Sequence, residues 1–227
     1  MNWLLNNLSL VFELSLEHLR LAIAPIVLGF ALAVPLGWSA WRFRLSRGIL
    51  LAIIGLLYTI PSLALFVLLP PLLGISFLSE LNVTIALTVY AIALMTRSVT
   101  DGLAAVGPEV RESATAMGHS GWGRFWRVEF PLAGPVMLAG LRVVAVSTVS
   151  LVTVGVFVGV QSLGFFFTDG LQRGIVGEIV TGIVMTVVIA LILDVLLVLV
   201  GRALMPWERL SAPSRVVRSL QGARAVS

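Results

Sequence analysis

The sequence predicts an all-α transmembrane protein of five spans in one domain, and three observations carry that reading. Hydrophobic residues make up 59% of the 227 and charged residues only 11%, whereas about a quarter of an ordinary soluble domain is charged. Apolar runs near or beyond the ~18 residues that cross a bilayer recur along the whole length, which leaves no room for a separate soluble domain. The 15 basic residues are all arginine and, apart from Arg142, fall between the runs or near their ends, sorted by membrane side, so a pI near 10.9 reports membrane sidedness rather than nucleic-acid binding.

Residues 1–17 alternate apolar side chains (Trp3, Leu4, Leu8, Val11, Phe12) with Asn2, Asn6, Asn7, Glu13 and Glu17, a pattern that predicts a short interfacial helix. A cleaved signal peptide is the competing reading, but the following run is long, holds Pro25 and Pro35, and ends in three arginines that retain its far end in the cytoplasm. The first span is placed over about 19–38 and the second over 48–69, closed by Pro70 and Pro71. The third covers 81–95, and after a polar loop over 100–131 come the fourth, 132–160, and the fifth, 176–204. The basic stretch 208–227 reads as a cytoplasmic tail near anionic lipid heads.

Five spans put the termini on opposite sides. Arg42, Arg44 and Arg47, then Arg97, Arg111, Arg124 and Arg127, then Arg202, Arg209, Arg215, Arg218 and Arg224 share one side; only Arg20 and Arg173 fall on the other. The positive-inside rule therefore predicts an external amino terminus and a cytoplasmic carboxyl terminus and central loop. Trp38, Trp41 and Trp207 sit where an inner aromatic belt belongs, and Trp3 where an outer one does.

Within the central loop, Pro108 suits a helix start, Glu109 and Glu112 suit the electropositive first turn, and Gly118 suits a stop. A helix over Pro108 to Met117 follows, then a turn at HSGWG and a second helical piece over Arg124 to Phe130. Ala114, Met117, Trp122, Phe125 and Trp126 form knobs ringed by Arg111, Glu112, Arg124, Arg127 and Glu129. Aromatic and Arg anchors of this kind mark docking surfaces; the alternative is an interfacial loop whose tryptophans rest among lipid headgroups.

Spacing bears on that choice. Glu112, Ala114, Gly118, Val128 and Pro131 resemble the cytoplasmic loop signature of ABC importer permeases, with Glu112 six residues before Gly118 and Pro131 thirteen after it. Ser113 replaces an Ala of that pattern, Phe130 an aliphatic residue, and His119 a small one. The resemblance implies that the short helix, with Glu112, Ser113, Ala114, Met117, Gly118, Trp122, Arg124, Phe125 and Pro131, inserts into a groove of a separate ATPase and carries its closing motion into the membrane. LYTIPSLALF (57–66), AGLRVVAV (139–146) and FTDGLQRGIVGEIVTGIV (167–184) look like the permeases of osmoprotectant importers for glycine betaine, choline, carnitine or proline. GVQSLG (159–164) stands where many of those relatives carry GAGGLG.

That resemblance implies two ATPase subunits holding ATP and Mg, a second permease subunit, identical or homologous, and an external substrate-binding protein docking on the 70–82 and 161–177 loops. The chain would be multi-pass in the plasma or inner membrane, with no cofactor of its own and no catalytic activity. Methionine and polar amino-acid permeases share the five-span plan, so an amino-acid cargo is an alternative. A non-transporting scaffold binding a soluble partner through 108–131 is another.

Tyr58, Thr59, Pro61 and Ser62 interrupt the second span, where proline frees a carbonyl and hydroxyls can satisfy it, so a kink is predicted. It reads either as a packed kink or as a hinge lining the translocation pathway. Aromatic faces can hold a quaternary amine, which makes Tyr58 and Phe66 pathway candidates alongside Pro61 and Ser62. Arg142 lies eleven residues after Pro131 and Asp194 eight before Arg202. At ~1.5 Å per residue both lie roughly 12–17 Å from the inner face, so they are predicted to form an intramembrane ion pair, structural rather than a proton relay. His18 and His119 have no second ligand at metal spacing. No hydrolase, zinc-protease or phosphate-loop motif occurs, so neither intramembrane hydrolysis nor nucleotide binding is encoded in this chain.

Overall fold

The computed structural model describes residues 2–207, and the stretch read as a tail, 208–227, lies outside the described residues. Helix α1 (Asn2–Asn6) is separated by Asn7, whose side chain donates to the Trp3 carbonyl at 2.8 Å, from α2 (Leu8–Arg42). An interfacial helix over 1–17 followed by a separate span from 19 is therefore replaced by a helix of 35 residues. No breaker lies between Leu8 and Arg20, so the helix propagates, and at ~1.5 Å per residue it is about 52 Å long. Its buried residues recur at helical spacing, from Val11, Leu14, His18 and Leu21 to Gly29, Ala33, Gly37 and Ala40.

The small residues of that stripe bring α2 against α5 (Glu80–Ala105). A β-carbon on Gly29 would collide with Ala91, and one on Gly37 would lie 2.6 Å from Val99 Cβ. Glycine is required at both places by close backbone approach. Helix α5 begins at Ser79, whose hydroxyl accepts from the Leu81 amide, and runs ten residues past the end predicted for the third span. Thr96 and Thr100 are buried on the packed side, Thr100 donating to Thr96 O at 2.8 Å, while Arg97 and Asp101 stay outward. Charges placed on an exposed side need not end a helix whose other side is packed.

Between α2 and α5 the chain forms α3 (Arg44–Thr59) and α4 (Ser62–Leu73). The predicted kink is a break: the two axes differ by 105°. Ile60 and Pro61 are extended, with ψ of 127° and 137°, because the ring of a proline pushes the preceding residue out of helical conformation. The Tyr90 hydroxyl on α5 donates to the freed Ile60 carbonyl. The predicted closure at Pro70 and Pro71 also differs, since α4 continues through both to Leu73 and stops at Gly74, φ 68°. Proline's fixed φ is itself helical, whereas left-handed Gly74 turns the chain away.

After α6 (Pro108–Ala116), α7 (Gly121–Arg124) leads through a π-helical turn, Phe125–Glu129, into α8 (Phe130–Val152) and a 3₁₀ turn, Thr153–Val158. The fourth span thus starts before Pro131, in a helical stretch of 38 residues from Gly121 to Val158. A further helix, α9 (Phe165–Arg173), precedes α10 (Val176–Leu204). Among the described residues four helices are long and apolar enough to cross a membrane, or five if α3 and α4 count as one broken span. Two apolar cores hold them together. One is built around Leu87, Phe66 and Phe166; the other, around Met95, Leu103, Phe125 and Met137, lies beneath α6.

Candidate functional site: the loop between α5 and α8

Gly107 is extended and Pro108 occupies the first turn of α6, where its missing N–H costs nothing. The helix ends in a Schellman arrangement: Gly118, φ 87°, donates to Thr115 O at 2.9 Å and His119 to Ala114 O at 3.1 Å. Ser120 then caps α7 by accepting from the Gly123 amide at 3.2 Å. The two short helices are thereby folded against each other by local chemistry.

What ties them to the long helices is Glu129, whose side chain is only 2% exposed. The π turn, closed by Phe130 N–H to Phe125 O, carries Phe125 and Glu129 inward. Arg124 Nε donates to Glu129 Oε1 at 2.8 Å, and Arg111 Nε lies 3.7 Å from the same oxygen. Arg124 Nη1 also donates to Thr115 Oγ1 at 2.8 Å, and Arg111 Nη2 to the Leu103 carbonyl of α5 at 2.7 Å. The Arg111 guanidinium stacks 4.6 Å over Trp41 near the carboxyl end of α2. One carboxylate therefore gathers α6 and α7 onto α8, while Arg111 links them to α2 and α5. Sequence reading placed Glu129 on the surface. Its signal was available only in combination, as an acid five residues after Arg124 at the entry to an apolar span.

The motif residues divide by burial. Glu112, Ser113, Met117, Gly118 and Trp122 face outward, Met117 at 72% and Trp122 at 67% exposure. Ala114 and Phe125, read as outward knobs, are buried: Ala114 lies on the inner side of α6, and Phe125 packs edge-on against Trp38, 6.1 Å between centroids. Arg124 is half-buried in the Glu129 network, and Pro131 is half-buried in the first turn of α8. Beside the exposed row a groove of about 440 Å³ is lined by Gly118, His119, Ser120, Trp122, Trp126 and Arg127. The surface thus offers carboxylate, thioether and indole groups on a base anchored to three long helices.

The other candidates lie away from this loop. Tyr58 is exposed at the end of α3 and meets Tyr90 edge-on at 5.8 Å; Pro61 is exposed and Ser62 half-buried at the break. Phe66 is wholly buried, its carbonyl accepting from Asn82 Nδ2 at 2.9 Å, so its ring is a core side chain and not a lining of any passage in this conformation. Asn82 and Tyr90, which hold α3 and α4 to α5, were not singled out in the sequence because their carbonyl partners are 16 and 30 residues away. Arg142 and Asp194 are brought together, Nε to Oδ1 at 2.6 Å and Nη2 to Oδ2 at 2.8 Å. Among the described residues no group of three or more His, Cys, Asp or Glu side chains could hold a metal.

Residues 26–209 match the family described as binding-protein-dependent transport system inner membrane component. The chain belongs to that family. The match takes in the second half of α2, the whole of the α6 loop and the end of α10. Curated relatives of this permease include the glycine betaine/carnitine/choline transport system permease protein OpuCB of Bacillus subtilis (strain 168), 29% identical over 211 residues, 93% of this chain and 91% of that one. The choline transport system permease protein OpuBB of the same organism is 30% identical over 190 residues, covering 84% and 86%. Among solved structures, the inward-facing MetNI methionine ABC transporter aligns with a TM-score of 0.71 at 23% identity, covering 88% of this permease and 96% of that chain. At that identity the likeness speaks for the fold. The permease is thus an integral membrane component of a transport system and not itself a catalyst.

Proposed function

We propose that this chain is the permease subunit of an ATP-driven importer for osmoprotectants: quaternary amines such as glycine betaine, choline or carnitine, or proline. Its amino terminus lies outside and its carboxyl terminus in the cytoplasm, with the chain multi-pass in the plasma or inner membrane. The observation that carries the coupling role is the exposed row Glu112, Ser113, Met117 and Trp122 set over the buried Glu129 network, a contact surface tied by Arg111 and Glu129 to α2, α5 and α8. One of a pair of ATPase subunits, which hold ATP and Mg, engages that row. When they close, the row is displaced with them, and two packings of the long helices exchange. A second permease subunit completes the passage, and an external binding protein delivers cargo to the 70–82 and 161–177 loops.

The cargo class rests on the names of the relatives, OpuCB and OpuBB, with which the chain aligns over most of its length. The test is uptake by the complex reconstituted in liposomes with its ATPase and binding protein, using labelled glycine betaine, choline, carnitine, proline and methionine. ATP-dependent accumulation of a quaternary amine or proline is expected. Accumulation of methionine alone would move the cargo to amino acids, and absence of any uptake with the ATPase bound would favour a scaffold.

A further inference from the structure

The Arg142–Asp194 pair is not enclosed by this chain. Its side chains are 42% and 24% exposed, and they border an open groove of about 350 Å³ with Ala139, Val143, Val146 and Ser147. Arg142 lies twelve residues into α8 and Asp194 ten from the end of α10, roughly 18 and 15 Å along their helices at ~1.5 Å per residue. That is close to the middle of a ~30 Å hydrocarbon layer, where charge facing lipid is costly and charge facing water is not.

The rest of the surface distinguishes these two settings. Beyond Arg142 the outward side of α8 carries Ser147 and Ser150, with Thr153 at the start of the 3₁₀ turn, all at least partly exposed; these three hydroxyls follow one another at three-residue steps and share that side with Val143 and Val146. The outward side of α10 carries Val184, Val187, Leu191 and Val195, each at least half exposed, without a polar group among them. At these depths α8 therefore adds hydroxyls among its valines to the ion pair, whereas the exposed positions of α10 from Val180 to Val200 are all hydrocarbon.

We infer that the Arg142, Ser147, Ser150 and Thr153 stripe of α8 walls the water-filled passage, with Asp194 setting its charge by neutralising Arg142. This deepens the importer reading and rests on it. Both Asp194 oxygens are taken by the guanidinium, so the wall is dipolar without a net charge. A quaternary ammonium is then neither repelled by a free Arg142 nor trapped by a free carboxylate. Asp194 is a specificity-determining residue that acts through Arg142.

The chain contains no cysteine, so single-cysteine variants report one site when the partner subunits are cysteine-free. In the assembled complex in liposomes, Ala139→Cys and Ser147→Cys are treated with methanethiosulfonates carrying either a trimethylammonium or a sulfonate group. Leu191→Cys, at comparable depth on α10, is the reference. Thiolate is the reacting form and hydrocarbon suppresses it, so both α8 positions should react at least about tenfold faster than Leu191→Cys. Adding Asp194→Asn should raise the sulfonate-to-trimethylammonium rate ratio roughly threefold to tenfold, and adding Arg142→Gln as well should return it. Labelling at α8 no faster than at Leu191→Cys would overturn the inference, as would an unchanged ratio in an assembled Asp194→Asn complex. Should Asp194→Asn fail to assemble, the accessibility comparison alone decides. Labelling requires no cargo, so a failure of quaternary-amine uptake with this labelling pattern intact would count against the importer reading and not against the wet stripe.

Discussion

Replacing Glu129 with Ala removes the one carboxylate on which Arg111 and Arg124 converge. The loss comprises the 2.8 Å charge-assisted bond from Arg124 and the charge 3.7 Å from Arg111. It leaves two guanidinium groups facing each other across the vacated position. Breaking a buried pair from one side costs several kcal/mol, but both arginines retain partial contact with water, 21% and 27% of their side-chain surface. A cost of about 2–3 kcal/mol is therefore expected. The long helices are held by separate apolar packing, so the cost falls on docking of α6 and α7. Amide hydrogen exchange over residues 108–124 should accelerate by roughly 30- to 150-fold, at 1.36 kcal/mol per tenfold, with exchange in α5 and α10 unchanged. Glu129→Gln, which keeps an acceptor for Arg124, should show about half the free-energy effect. Wild-type exchange rates over 108–124 in Glu129→Ala would refute the clamp.

Gly118→Ala places a β-carbon at φ 87°, a strain of about 1–2 kcal/mol; helix α6 should fray at its carboxyl end, read as faster exchange at Thr115 to His119. Gly37→Leu puts a side chain where even a β-carbon would lie 2.6 Å from Val99, so the protein should fail to accumulate in membranes, and wild-type yield would contradict the close α2–α5 packing. Tyr90→Phe strands the Ile60 carbonyl at the α3–α4 break at a cost of about 1–2 kcal/mol, measurable as a lower melting temperature in detergent. Glu112→Arg alters an outward side chain, so the melting temperature should stay within error while ATPase co-purification falls.

Legibility followed the range of the forces involved. Helix α10 occupies the 176–204 stretch marked by its apolar run because Gly174 and Pro206, local signals, bracket it. Helix α6 ends one residue before the predicted Met117, the Schellman turn at Gly118 being equally local. Arg142 and Asp194 could be matched by counting residues because two antiparallel helices share one ruler. What sequence could not supply was long-range. The extension of α5 past Met95 depends on Thr96 and Thr100 packing beneath α2, and the size of the break at Pro61 on a hydroxyl 30 residues away. The inward turn of Glu129 depends on one extra residue in a π turn, which shifts every side chain after it around the helix. Ala114 and Phe125 were misjudged as outward for the same reason: composition shows that a loop is amphipathic, and only its docking shows which side is buried.

The central claim is that ATPase motion enters this permease through the outward row of α6. ATP-driven uptake of labelled glycine betaine and choline into liposomes, compared between wild type and Glu112→Arg at equal permease content, tests it most directly. The account predicts accumulation by the wild type and, for Glu112→Arg, loss of uptake together with ATPase binding while thermal stability is retained. Full uptake by Glu112→Arg would contradict it.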